Sequence, residues 1–163
     1  MQWSAGIIFR MDKVDRKILA ALQSDGRLSI TELADRVGIS LSPCHRRLRA
    51  LEESGAIKGY RAQLDLATLA LNFSALVFVS MHATDHTTWD AFETAMRDLP
   101  NVIQAQRLFG DPDYLLHVVA RDLAEFRMLY DQHLSILPGV RRLTSTLVMK
   151  SIVEDRMLPL DAS

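Results

Sequence analysis

Residues 29–55 read SITELADRVGISLSPCHRRLRALEESG. The spacing predicts two short helices joined by a tight turn at Gly38. Ser29 with Glu32 three residues on has the spacing of a capping box, and Ile30, Leu33, Ala34 and Val37 give the first helix an apolar stripe. Gly38 suits the left-handed residue that ends it. A second helix is expected over Ser42–Glu53, with Pro43 tolerated in its first turn. At about 100° per residue, Cys44, Leu48 and Leu51 share one face of this helix. Ser42, His45, Arg46 and Arg49 share the opposite face, and Arg47 falls near the edge of the apolar side. No acidic residue lies between Asp35 and Glu52. One side therefore packs inward while the other presents donors and positive charge. A helix of this kind following a tight turn is the layout that places its second helix in the DNA major groove.

Working outward, Asp12 is placed to cap a helix from about Lys13 to Ser24, whose stripe is Val14, Ile18, Leu19 and Leu22. Residues 57–64, IKGYRAQL, are β-rich and broken by Gly59; a strand or hairpin here makes a winged variant, with Lys58 and Arg61 near phosphates or simply solvated. Asp65 is expected to cap a short linker helix through Leu71. Residues 1–10, MQWSAGIIFR, lack the long apolar core of a secretory signal; either Met11 is the natural start or these residues are an extra arm.

From Phe73 the pattern changes. Residues 74–83 form a strand apolar on both faces. Thr87 with Asp90 resembles a capping box for a helix buried through Trp89, Phe92, Met96 and Leu99. Residues 102–109 and 114–120 are strands joined by Gly110-Asp111-Pro112-Asp113. Asp122 with Glu125 caps a helix using Phe126, Leu129, Tyr130, Leu134 and Leu137, and Pro138-Gly139 stops it. A long last strand is expected from Val140 to about Val153. The order β-α-β-β-α-β is the ferredoxin-like arrangement. The fold class is thus α+β, a winged helix-turn-helix over 1–64, a linker at 65–72, and a ferredoxin-like module over 73–163. The sheet face away from its helices carries apolar residues, which argues for pairing in a symmetric homodimer.

Composition agrees. The 163 residues are 48% hydrophobic and 24% charged, with one cysteine, which excludes an internal disulfide framework and suits a reducing cytoplasm. No apolar run approaches the roughly 18 residues of a membrane span. The overall charge of −1 divides into +4 over residues 1–62 and −5 over 63–163, so the front module faces an anionic partner. His82, His86, His117 and His133 form no ligand or catalytic pattern, and no nucleophile–base motif, Walker loop or dinucleotide fingerprint occurs. No metal or cofactor is expected, and Cys44 reads as a core residue.

The opening DKVDRKILAALQSDGR, the segment ISLSPCHRRLRALEESGAIKGYRA, the turn GDPDYLL and the strand PGVRRLTSTLVMK resemble the Lrp/AsnC family of leucine- and asparagine-responsive regulators, over about Met11–Leu160. The resemblance implies a cytoplasmic transcriptional regulator of amino-acid metabolism. It further implies binding of double-stranded DNA, dimers assembling further into octamers, and a small amino acid held between dimers. The GDPDYLL turn and the terminal LPL look like a branch tied to branched-chain, proline or cysteine metabolism. Matching positions place Gly110, Asp111, Asp113 and Tyr114 near the effector, with Thr144 and Thr146 on the final strand. By residue chemistry alone, the two carboxylates and the glycine either make the turn or hold the charged ends of an amino acid. Ser42, His45, Arg46, Arg47 and Arg49 are the DNA candidates, Arg47 holding a phosphate or an internal carboxylate. His45 and Asn72 depart from the family pattern, the first bearing on the operator read and the second on linker geometry. Alternatives on the same architecture are an enzyme similar to sirohaem decarboxylases and an architectural DNA-binding protein.

Overall fold

A computed structural model describes residues 11–82 and 85–160. The chain forms two compact units, one built from the residues up to Gln63 together with those from Val153 onward, the other being Leu64–Ile152.

The first unit is three helices, α1 (Lys13–Ser24), α2 (Ile30–Val37) and α3 (Leu41–Glu53). Local chemistry sets their ends. Asp12 accepts the backbone N–H groups of Val14 and Asp15, while the Asp15 carboxylate accepts from the Asp12 N–H. Ser29 and Glu32 form the same reciprocal box on α2, satisfying donors that an open helix start leaves bare. Gly38 ends α2 with φ 77°, the left-handed region that an L side chain resists. Ile18, Ala21, Leu33, Ala34, Val37, Cys44 and Leu51 are the shared core. Each fully buried Leu or Ile there contributes about 1.5–3 kcal/mol of apolar burial.

Two expectations fail next to this core. Residues 57–64 form no strand: their β-rich composition meets no partner strand, and Tyr60 instead donates its hydroxyl to Glu52 at 3.0 Å. Residues 66–70 are turns rather than a helix, although Asp65 does accept the Thr68 N–H. The unit boundary also differs from the expected one, because residues from Val153 group with the helices instead of the sheet. The contact there is specific: Gln23 and Leu158 exchange two hydrogen bonds, Leu158 N–H to Gln23 Oε1 at 2.7 Å and Gln23 Nε2 to Leu158 O at 3.3 Å.

The second unit is β1 (Phe73–Met81), α4 (His86–Arg97), β2 (Val102–Arg107), β3 (Tyr114–Ala120), α5 (Leu123–Leu129) with a π-helical turn over Tyr130–Leu134, and β4 (Val140–Leu147). The four strands run antiparallel in the order β2-β3-β1-β4, as the ferredoxin-like reading requires. Ala75, Val77, Val79 and Met81 of β1 and Tyr114, Leu116, Val118 and Ala120 of β3 face the helices, where Phe92, Met96, Phe126 and Leu134 complete the core. The opposite face carries Leu76, Phe78 and Leu115, half-buried, in rows with Thr144 and Thr146.

Three local expectations are corrected here. The cap of α4 is Asp85, which accepts from the Thr88 N–H, and not Thr87. Strand β4 stops at Leu147 instead of Val153: Ala75 opposite Leu147 is the last registered pair, followed by one further bond from the Val148 N–H to Ser74 O at 2.9 Å. The last helix of the sequence reading is an α-helix that loosens into the π turn.

Candidate nucleic-acid interface and effector turn

The register of α3 against α1 and α2 decides which side chains reach solvent. Cys44 and Leu51 are wholly buried, and burial pushes the Cys44 thiol up from its ordinary pKa. Half a turn away Ser42, His45, Arg46 and Arg49 are exposed together. The separation of faces read from the spacing is therefore the one the packing produces. Ser40 ends the turn as the N-cap of α3 without a side-chain cap bond.

Arg47 behaves differently from its neighbours. Its Nη1 donates to Asp12 Oδ2 at 2.7 Å and to Asp15 Oδ1 at 2.8 Å. Asp15 is almost fully buried and Arg47 is about one third exposed. These bonds, to Asp15 first and then Asp12, raise the guanidinium pKa further. The Asp12 carboxyl is held below its usual range, chiefly by the Asp15 N–H, with Arg47 adding to it. Of the two roles expected for Arg47, the geometry supplies the internal carboxylate: it ties the basic helix to the start of α1. Lys58 and Arg61 are exposed.

In the second unit the turn candidates are pulled in several directions. Asp113 Oδ2 accepts the Met81 N–H at 2.7 Å, and Asp113 N–H bonds Val79 O at 2.9 Å, so this carboxylate anchors the turn to β1. Asp111 Oδ1 accepts the hydroxyl of the buried Ser80 at 3.0 Å. Gly110 has φ 135°, and the Asp111–Pro112 peptide is cis. Tyr114 points to the helix side, packed at 4.6 Å between ring centroids on Phe92 and donating to Glu93 Oε1 at 3.0 Å. Its hydroxyl pKa is pushed up to about 12 by burial and then by that carboxylate. Thr144 and Thr146 lie on the other sheet face, opposite Phe78 and Leu76. Within one chain, then, Gly110, Asp111 and Asp113 stay together, while Tyr114 and the threonines look to opposite sides.

Sequence spacing missed a cluster on α4 and β2. Glu93 sits between Arg97 and Arg107, each at 3.8 Å, and the Arg107 guanidinium lies 3.6 Å from the centroid of the Trp89 ring. Trp89, Glu93 and Arg97 follow an i, i+4, i+8 row along α4, the one local sign of it; the strand arginine has none.

Among the described residues no group of three or more His, Cys, Asp or Glu side chains is placed to hold a metal ion. No helix there is long and apolar enough to cross a membrane.

A helix-turn-helix with an outward basic helix, joined to an antiparallel α+β unit, defines the class of DNA-binding regulators that carry their own ligand-binding module. Comparison with known proteins narrows it. Residues 11–58 match a family described as winged helix-turn-helix DNA-binding, and residues 74–158 match the Lrp/AsnC ligand binding domain. The Bkd operon transcriptional regulator of Pseudomonas aeruginosa is 41% identical over 88% of this chain and 94% of its own. The leucine-responsive regulatory protein of Escherichia coli K12 is 35% identical over 91% of this chain and 90% of its own. A Neisseria meningitidis transcriptional regulator solved as its L-Met complex superposes with a TM-score of 0.87 at 36% identity, covering 93% of this chain and 97% of that one. The chain belongs to the Lrp/AsnC family. It is a DNA-binding transcriptional regulator of amino-acid metabolism that responds to a small-molecule effector.

Proposed function

We propose that Ser42, His45, Arg46 and Arg49 read the major groove, and that the effector is a free amino acid held near Gly110, Asp111 and Asp113. The observation that carries the first part is the exposure of these four side chains on one face of α3, opposite the buried Cys44 and Leu51. Arg46 and Arg49 reach guanine edges or phosphates, a good bidentate pair discriminating by about 1–3 kcal/mol. Arg47, a DNA candidate expected to hold a phosphate or an internal carboxylate, acts by holding α3 in place. Thr144 and Thr146 reach the effector only from the open sheet face, and Tyr114 supports the turn from behind.

The half-buried Leu76, Phe78 and Leu115 support a homodimer across the open sheet face, which sets two recognition helices on a partly palindromic site. Dimers assemble further, toward an octamer, with the amino acid between them favouring one assembly by its differential affinity. The relative named as leucine-responsive and the L-Met complex support an apolar amino acid. The reading places the protein in the cytoplasm and gives it no catalytic role, so added sirohaem leaves its absorption spectrum unchanged.

The test is a mobility-shift titration on the upstream region of the protein's own gene at several salt concentrations. Arg46→Ala with Arg49→Ala is expected to abolish specific binding and flatten the salt dependence by about two phosphate contacts' worth, with the unfolding midpoint unchanged. Retained binding with an unchanged salt slope sinks the assignment.

A further inference from the structure

Between α4 and the edge strand β2 runs a groove of about 370 Å³, at the small end of the roughly 300–1,000 Å³ typical of ligand clefts. Met96, Val102 and Ala105 line its apolar part, and Glu93, Arg97 and Arg107 its polar part. Two guanidinium groups share one carboxylate, and neither bonds it: Arg97 Nη2 to Glu93 Oε2 and Arg107 Nη1 to Glu93 Oε1 are both 3.8 Å, outside hydrogen-bond range. Tyr114 fixes Glu93 through Oε1 at 3.0 Å, and Glu93 Oε2 accepts no hydrogen bond among the described residues. The groove thus offers a net single positive charge, a fork of unused N–H donors, one unused carboxylate oxygen and an apolar strip.

We propose that this groove binds a free α-amino acid with an apolar side chain, its carboxylate taken by Arg97 and Arg107, its ammonium by Glu93 Oε2, and its side chain laid over Met96 and Val102. A simple anion would meet Glu93 as a repelling neighbour, and a simple cation would meet two arginines. A zwitterion satisfies all three groups at once, through charge-assisted bonds. The proposal rests on the reading of the chain as an amino-acid-responsive regulator, and it adds a site apart from the Gly110–Asp113 turn. Occupancy draws Arg107 from the ring of Trp89 toward the ligand, so Trp89 reports it.

The chain has two tryptophans, Trp3 and Trp89, so the full-length Trp3→Phe protein carries Trp89 as its single indole. L-leucine, L-methionine and L-valine are titrated into it, followed by their N-acetylated and carboxamide derivatives, with calorimetry alongside and circular dichroism confirming that each variant is folded. A saturable change in Trp89 emission with the free amino acids and not with the blocked ones is expected. Glu93→Gln, which keeps an acceptor for Tyr114, and Arg97→Gln each weaken it about tenfold or more, the loss of roughly one charge-assisted bond. Binding untouched by Glu93→Gln and Arg97→Gln but lost in Asp111→Asn overturns the groove and leaves the regulator reading standing. No calorimetric binding of any amino acid overturns both. An emission change that follows protein concentration without ligand shows a second copy covering the groove and overturns the proposal.

Discussion

Removing Arg47 separates a structural arginine from a DNA-reading one. In Arg47→Ala the Asp15 carboxylate keeps its bond to the Asp12 N–H but loses its guanidinium partner, with a side chain only 7% exposed. Breaking a fully buried ion pair costs about 3–5 kcal/mol, and leaving one buried acceptor unpaired about 1–3 kcal/mol. With Arg47 itself 31% exposed, water screens part of the loss, and about 2 kcal/mol is the expected cost. The exposed Asp12 contact adds nothing to that figure. For a unit of this size the unfolding midpoint falls on the order of 10 °C, read by circular dichroism. Asp15→Asn combined with Arg47→Ala recovers part of the loss, since no buried charge is then stranded. DNA affinity at a temperature where the variant is folded falls less than in the Arg46/Arg49 double variant, and the salt slope is unchanged. A midpoint within about 1 °C of the parent together with a salt slope lower by about one phosphate refutes the clamp and returns Arg47 to the DNA interface.

Other outcomes follow from the same geometry. Gly139→Ala destabilises the second unit, because at φ 73° its Cβ would run into Thr88 Cγ2; a lowered urea midpoint checks this, and Gly38→Ala, equally left-handed but in open space, costs less. Asp12, Glu32, Asp85 and Glu125 all have folded pKa values below their ordinary ones through hydrogen bonds at helix starts. Their stabilisation is complete above the unfolded values of about 4 and is lost as pH falls through the lower folded values. Urea unfolding across that range shows the decline, and Glu32→Gln makes it shallower. Tyr60 and Tyr114 are pushed up to about 12, both by burial and then by Glu52 and Glu93. Their contribution is full below the unfolded tyrosine value of about 10 and disappears as pH rises toward 12, which tyrosinate absorbance and unfolding measured together detect.

The parts of this fold legible in the chain are those specified within a few residues. Asp12, Ser29 with Glu32, Gly38 and Asp122 each set a helix end by bonding a neighbour at most four positions away, and all four act as their spacing implies. The division of α3 into a buried and a basic face was legible for the same reason. What failed depended on distant partners. The alternation in residues 148–153 continues a strand pattern, yet the ladder with β1 ends at the bond from the Val148 N–H to Ser74 O. Residues 57–64 have strand composition and no strand beside them. For Arg47 an internal carboxylate was one of two expected partners, but which carboxylate was not legible, because Asp12 and Asp15 lie over thirty positions earlier. The Glu93 cluster joins a helix to a strand and leaves only half its trace in local spacing. Tyr114 and Thr144 were grouped as candidates, and the pairing of Val79 with Tyr114 but of Phe78 with Thr144 puts them on opposite faces.

The clasp between Gln23 and Leu158 also bears on how the protein is made. The two residues are 135 positions apart, so at roughly 5–20 residues per second α1 leaves the ribosome about 7–27 s before the segment that closes on it. During that interval the three helices must hold by their own core of Ile18, Leu33 and Leu51. A purification tag fused after this segment would extend from the helical unit, with which the residues from Val153 group. An affinity for DNA measured on such a fusion belongs to the tagged helical unit, and the same measurement with the tag cleaved gives that of the protein.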